Sequence, residues 1–333
     1  MKPFFYSRRH LLASAAATAG LGAAALNPFA AHAQSAYPSR AVRATVPYPP
    51  GGMSDVSSRA ILDRLSKDLG QPVVVDNRSG AASTLASNWF VTQNPDGYSL
   101  YAAPVSIVIN PLLQGSVQYD ARRDFVPISM MLNSPFVLHV ALGLGVKNMS
   151  ELLTLLRANP NKYAIGTSGV GSINHLAAEY FLRAMNLKLT VAHYRGGSPA
   201  AQDMMAGVTH LMFSAANEAA PLIRAGRTNG IAVTTLRRLA ILPDLPTVEQ
   251  ATGVKGFEAV FWLALMAPAK TPEPVLARLR QGMQTVGADK ALADQLARQG
   301  VELKTSSPSE VLAAMDRDEK LWGDIIRAQG IKE

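Results

Sequence analysis

Three loops of this sequence set glycine or alanine beside hydroxyl side chains at the start of a helical pattern. They are Pro49-Pro50-Gly51-Gly52-Met53-Ser54-Asp55, Gly80-Ala81-Ala82-Ser83-Thr84, and Ser168-Gly169-Val170-Gly171-Ser172-Ile173-Asn174, the last following a strand-like Tyr163–Thr167. Small residues let a ligand approach the backbone closely. A helix start adds unpaired N–H groups and a partial positive charge, so several starts converging on one cleft bind an anion without Arg or Lys. Helix capping explains any one of these loops equally well. Three of them, two expected on one lobe and one on another, point to a ligand site, where strand ends of open α/β sheets put one.

Catalytic readings find less support. The run Gly169–Asn174 has two glycines of a dinucleotide fingerprint and lacks the third, and no phosphate loop with its Gly-Lys pair occurs. Around Ser168, Gly166-Thr167-Ser168-Gly169-Val170 approaches a nucleophile elbow but has Val where the last Gly belongs. Thr167 and Ser168 therefore read as ligand hydrogen-bond donors. His139, His175, His193 and His210 never take the i, i+4 spacing of a helical metal pair, and there is no cysteine. The chain is read as a binding protein without metal or cofactor, with a hydrolase of unmarked acids as the alternative. Phe261 and Trp262 are core residues by default, and Trp262 is also a candidate for stacking on a ligand.

The elements that must position these loops alternate between strand and helix. Val42–Tyr48 reads as a strand, and Val56, Ala60, Ile61, Leu65 and Leu69 mark a helix from Ser54 that Gly70 stops. Strand Pro72–Asp76, helix Ser83–Gln93 and strand Tyr98–Ala103 follow. The rhythm returns with helix Ser150–Asn159, strand Tyr163–Thr167, helix Ser172–Met185, strand Leu189–His193 and helix Ser198–Ala206, with Ser198 as N-cap. His210–Ala215, Asn217–Ala225 and Ile231–Thr235 complete it. Such alternation implies α/β architecture with open sheets flanked by helices. Two extended runs, Phe136–Ala141 and Phe257–Ala267, read as crossings between two lobes, with helices Pro272–Lys290 and Ser307–Arg327 returning to the first.

The first 33 residues read as an export signal and not as part of a fold. Lys2, Arg8 and Arg9 precede an Ala/Leu/Gly-rich run and Ala31-His32-Ala33, so cleavage is expected before Gln34. Ser7-Arg8-Arg9-His10-Leu11-Leu12 resembles a twin-arginine motif with Leu11 in place of the usual Phe, which leaves the Sec route open. Removal of the signal lowers the net charge of +8 by three. The basic residues left are scattered without interleaved aromatics, so nucleic acid is not an expected partner.

Read in order, Tyr37-Pro38-Ser39-Arg40, Val46-Pro47-Tyr48-Pro49-Pro50-Gly51-Gly52, Gly70-Gln71-Pro72 through Arg78 and Pro95-Asp96-Gly97-Tyr98 resemble the Bug family, the receptors of tripartite tricarboxylate transporters. The pattern continues through Ile109-Asn110-Pro111, Asp124–Ile128, Gly169–Ser172, Tyr194-Arg195-Gly196, Leu242–Thr247 and Ala267-Pro268. The resemblance implies a periplasmic two-lobe (Venus-flytrap, type II-like) binding protein, a monomer that captures a small carboxylate and delivers it to a membrane permease. A chemosensory receptor of the same fold is the alternative. The implied lobes are residues 34–137 with 260–333, and 138–259. Carried over by motif, Pro50–Asp55 and Ser168–Ser172 face the ligand from opposite lobes, while Gly80–Thr84 and Pro104–Ser106 line the same cleft. Family members often have Gly-Thr-Asp at Met53-Ser54-Asp55, Ala-Gly at Ala81-Ala82, Lys at Arg195 and Asp at His210, and Asn217 sits on a variable loop. Met53, Asn217, Phe261 and Trp262 suggest apolar walls and a mono- or dicarboxylate with an aliphatic or aromatic body.

Overall fold

The computed structural model describes residues 37–332, and the expected export signal lies outside them. The chain divides into a segment ending at Ser39 and a body spanning Arg40–Glu333. In the segment, the Tyr37-Pro38 peptide is cis.

The body opens with β1 (Val42–Val46), α1 (Met53–Leu69) and β2 (Val73–Asn77). β1 and β2 pair in parallel, Val42 opposite Val73, which is possible only because α1 carries the chain back across the sheet. Ile61, Leu62, Leu65 and Leu69 form the buried stripe of α1. The helix stops where Gly70 takes a left-handed φ of 69° and its N–H bonds to the carbonyl of Ser66, a backbone turn that only glycine makes without strain. β3 (Ser99–Pro104) joins the other side of β1, and β9 (Val260–Pro268) inserts antiparallel between β3 and β4 (Phe125–Ala141).

Strand β4 holds the architecture together. It is 17 residues long, on the order of 55 Å if fully extended. Its part up to Pro135 pairs with β9, and from Phe136 onward it pairs with β7 (Leu211–Ala215) and β8 (Thr228–Val233). Beyond β7 lie β5 (Ala164–Thr167) and β6 (Thr190–His193), all parallel. The path β2-β1-β3-β9-β4-β7-β5-β6 is thus two half-sheets strung on one strand. At their junction the buried Thr234 hydroxyl lies 2.6 Å from the Ala259 carbonyl, to which it donates, and accepts from the Phe136 N–H at 3.0 Å. Both crossing segments are pinned there.

Helices cover the faces. α2 (Thr84–Phe90) and α3 (Ser106–Leu113) flank β3, while α4 (Met149–Ala158), α5 (Ile173–Ala184), α6 (Gly197–Met205), α7 (Ala216–Arg224) and α8 (Val248–Thr252) belong to the second half. α9 (Glu273–Gly287) returns to α1, where Arg278 Nη1 meets Asp68 Oδ2 at 2.6 Å. α10 (Lys290–Arg298) and the short β10 (Glu302–Leu303), which pairs with β4, follow it. α11 (Pro308–Gln329) starts in a Ser307–Glu310 capping box and buries Trp322 edge-on to Tyr180 of α5, so it touches both halves.

Several elements differ from expectation. β4 starts at Phe125, eleven residues before the expected crossing at Phe136. α3 was not expected: Ser106–Leu113 is a short, mostly apolar run, with Ser106 and Asn110 its polar residues and Pro111 inside it, so its period is too brief to stand out. α6 starts two residues early, with Gly196 and not Ser198 at its N-cap. α2 ends at Phe90, short of Gln93.

Candidate functional site

Between the half-sheets, at the carboxyl ends of β1, β3, β5 and β7, lies a cavity of about 340 Å³. The first half contributes Tyr48, Met53, Ser54, Ala82, Ser106 and Phe261 to its wall. Ser168, Gly171, Ser172, Asn174, Gly197 and Glu218 face it from the second half, and Ser134 and Phe136 of β4 form its floor.

Each loop is held by neighbouring side chains. In Gly51–Asp55, the buried Asp55 carboxylate accepts from Gly51 N, Arg59 Nε and Asn77 Nδ2, each at 2.9 Å. Burial pushes the Asp55 pKa up, but the bonds from Arg59, Gly51 and Asn77 outweigh it and hold the group below its ordinary value. Gly52 caps α1 without any side-chain bond, so the N–H groups of Met53 and Ser54 have neither capping nor intrahelical acceptors.

The second loop is strained. Ala81, Ala82 and Ser83 all have positive φ, 43°, 48° and 80°. Asn110 secures it by donating through Nδ2 to the Ala82 carbonyl (2.9 Å) and to Thr84 Oγ1 (2.8 Å). Ser83 Oγ lies 2.7 Å from Ser106 Oγ, which also bonds the Tyr48 hydroxyl. Burial drives the Tyr48 pKa upward against that bond, so the phenol stays protonated.

The third loop wraps around Asn174 and His175. Asn174 Oδ1 accepts from Ser168 Oγ (2.8 Å), Ser168 N (3.2 Å) and Ser172 Oγ (2.7 Å). Gly171 N donates to His175 Nδ1 at 3.0 Å, which leaves the imidazole proton on Nε2, facing Glu179 at 3.6 Å. His193 stands edge-on to His175, and burial together with His175 depresses its pKa while Glu179 opposes. Gly171 sits at φ 70°, and a Cβ there would fall 2.7 Å from Leu113 Cδ1 across the cleft. Because Ser168 donates to an amide oxygen and not to an imidazole, the pairing that activates a serine nucleophile is not made.

Two features of the wall bear on recognition. Ser134 Oγ is fully buried at the cavity and has no hydrogen-bond partner among the described residues. Glu218 is the one charged side chain among the described lining residues. Solvent still reaches it, yet the surrounding protein raises its pKa through desolvation. Among the described residues no group of His, Cys, Asp or Glu is arranged to hold a metal ion, and no helix is long and apolar enough to cross a membrane.

The expected site residues fall in different places. Met53, Ser54, Ala82, Ser106, Ser168, Gly171 and Ser172 line the cavity. Asp55, Ser83, Thr84 and Thr167 are buried behind it, Thr167 bonded to His193 Nδ1 at 2.8 Å. Gly51 and Asn217 line an adjoining cavity of about 350 Å³ that shares Met53 and includes Arg224 and Arg298. Gly52 and Gly169 shape their loops, and Val170 is exposed on the outer side. Trp262 does not reach the cavity: adjacent strand residues point to opposite faces, so Phe261 faces it while the buried Trp262 donates through Nε1 to Asp318 Oδ2 at 2.6 Å. A larger groove of about 580 Å³ runs between Thr235–Ile241 and Ala293–Lys304, and none of these residues lines it. Sequence reasoning missed Asn174, Ser134 and Glu218. Glu218 had a faint signal, a lone charge within Ala215-Ala216-Asn217-Glu218-Ala219-Ala220.

Two α/β half-sheets joined by shared strands, with helix starts gathered at a cavity between them, define a two-lobe solute-binding receptor of the periplasmic binding protein type. Residues 57–331 match the tripartite tricarboxylate transporter family receptor, TctC, and the chain belongs to that family, one of receptors and not of enzymes. Among its relatives is the UPF0065 protein in the tcbD-tcbE intergenic region of a Pseudomonas species, 33% identical over 292 residues and covering 87% of each chain. The R. palustris Rpa4515 structure with adipate is 30% identical with a TM-score of 0.76, over 89% of this chain and 99% of that one. The periplasmic binding protein BugD is 28% identical with a TM-score of 0.74, over the same shares.

Proposed function

We propose that this receptor captures a small organic carboxylate in the cavity between its half-sheets and delivers it to the membrane permease of a tripartite tricarboxylate transporter. The observation that carries this reading is the convergence of helix starts from both sides, α1 and α3 from one and α5 from the other, on a cavity with no Arg or Lys among its described lining residues. Backbone N–H groups and hydroxyls then supply the complement to a carboxylate. The related Rpa4515 structure with adipate supports the ligand class. Met53, Ile109, Phe136 and Phe261 give the cavity an apolar wall suited to an aliphatic or aromatic body.

On this reading the mature protein begins at Gln34, reaches the periplasm by a twin-arginine or Sec signal, and acts as a monomer. Residues 34–137 with 260–333 form one lobe and 138–259 the other, and Thr234 marks the hinge. Ligand contacts come from Met53, Ser54, Ala82, Ser106, Ser168, Gly171 and Ser172. The test is a thermal-shift screen followed by calorimetry over mono-, di- and tricarboxylates, with matched alcohols and amides as controls. Carboxylates alone should raise the melting temperature and be recovered unchanged. Stabilisation by no carboxylate, or turnover of a bound ester, overturns the proposal.

A further inference from the structure

Glu218 has no evident structural task. It occupies the first turn of α7, where a glutamate can reach back to cap the helix start, yet α7 has no side-chain cap bond. No hydrogen bond or ion pair ties it to another described residue. Its carboxylate lies instead over Gly197, where a Cβ would come within 3.3 Å of Oε2, so the glycine leaves the room the carboxylate fills. Arg224 and Arg298 line the adjoining cavity beyond Met53 and not this one, and Arg195, two residues from Gly197, is not among the residues lining this cavity either. Arg224 Nη2 is moreover directed to the Ile241 carbonyl at 2.7 Å.

A cavity whose helix starts accept one carboxylate, and whose only charged wall residue among the described residues is another carboxylate, disfavours a second anionic group on the ligand. It favours a cationic donor there. We infer that Glu218 is a specificity-determining residue, the counter-ion for a ligand that carries an ammonium group as well as a carboxylate. This rests on the carboxylate reading of the same cavity and narrows it to amino carboxylates over dicarboxylates.

Calorimetry on the purified protein tests it with pentanoate, adipate, and 2-, 4- and 5-aminopentanoate. At least one amino carboxylate should bind about tenfold or more tightly than both pentanoate and adipate, a difference that calorimetry resolves. Glu218→Gln should abolish that gain while pentanoate, relieved of a like charge, binds at least as tightly as before, and an unchanged circular dichroism spectrum and melting temperature of the unliganded variant show that it folds. If pentanoate or adipate binds and no amino carboxylate gains tenfold over both, the inference falls and the carboxylate reading stands. A gain that survives in Glu218→Gln overturns it as well. Binding by none of the five overturns the inference, and the wider carboxylate screen then decides the carboxylate reading on its own.

Discussion

Asp55 is buried and accepts three hydrogen bonds, from Gly51, Arg59 and Asn77, which set the path of the loop in front of it. Its folded pKa lies below the ordinary value, so its contribution to stability is present above the carboxylate range and lost as pH falls through the folded pKa. Asp55→Asn should cost about 1–3 kcal/mol in urea unfolding at pH 7, and the gap to the parent should narrow as pH drops below the ordinary carboxylate range. His139 behaves in the same sense for another reason. It is wholly buried between Thr228 Oγ1 and Ser214 Oγ, and burial pushes its pKa down from 6.5 to about 4. The neutral ring is stabilising above pH 6.5, and stability should fall between 6.5 and about 4, by up to about 3 kcal/mol. A pH series of unfolding midpoints should lose that slope in His139→Gln. Sequence alone placed Ser172 at a helix start, where it is the N-cap of α5. It could not place Glu218, because an acid in a first helical turn is favoured by the dipole whether or not a cavity lies in front of it.

At the scale of elements, the α1–α9 contact depends on a missing side chain. A Cβ at Gly282 would meet Leu65 Cδ1 at 2.6 Å and Asp68 Oδ2 at 3.1 Å. Gly282→Ala gains up to about 1 kcal/mol of helix propensity but forces the helices apart, and overpacking of this kind costs about 1–3 kcal/mol. The net result should be a lower unfolding midpoint, measured by circular dichroism. A gain in stability would mean that Leu65 can rotate away. Elements with a clear period and a stop, such as α1 with its apolar stripe and Gly70, were legible in the sequence. α3 was not, since Ser106–Leu113 is a short, mostly apolar run with Pro111 inside it, and the early part of β4 was hidden because Phe125–Pro135 is buried on both faces and shows no alternation.

For the whole molecule, the decisive atoms are few. Thr234 binds the chain at Phe136 and at Ala259, where the two halves meet. Thr234→Val keeps the shape but strands the buried Phe136 N–H and the Ala259 carbonyl, so stability should drop by about 1–3 kcal/mol in calorimetric unfolding. A drop confined to a few tenths of a kcal/mol would show that another group takes over these bonds. The sequence pointed to two crossings at about these positions but could not show that one strand serves both halves, because pairing partners far apart in the chain leave no local pattern. The seat of β9 between β3 and β4 has a consequence in time. The first half-sheet lacks the strand between β3 and β4 until residue 268 has been made, so both present unpaired edges from their own synthesis until then. Pairing over such separations is slow to form. The nascent chain is therefore committed late, and a product truncated before Val260 should be recovered in aggregates and not as a smaller folded domain.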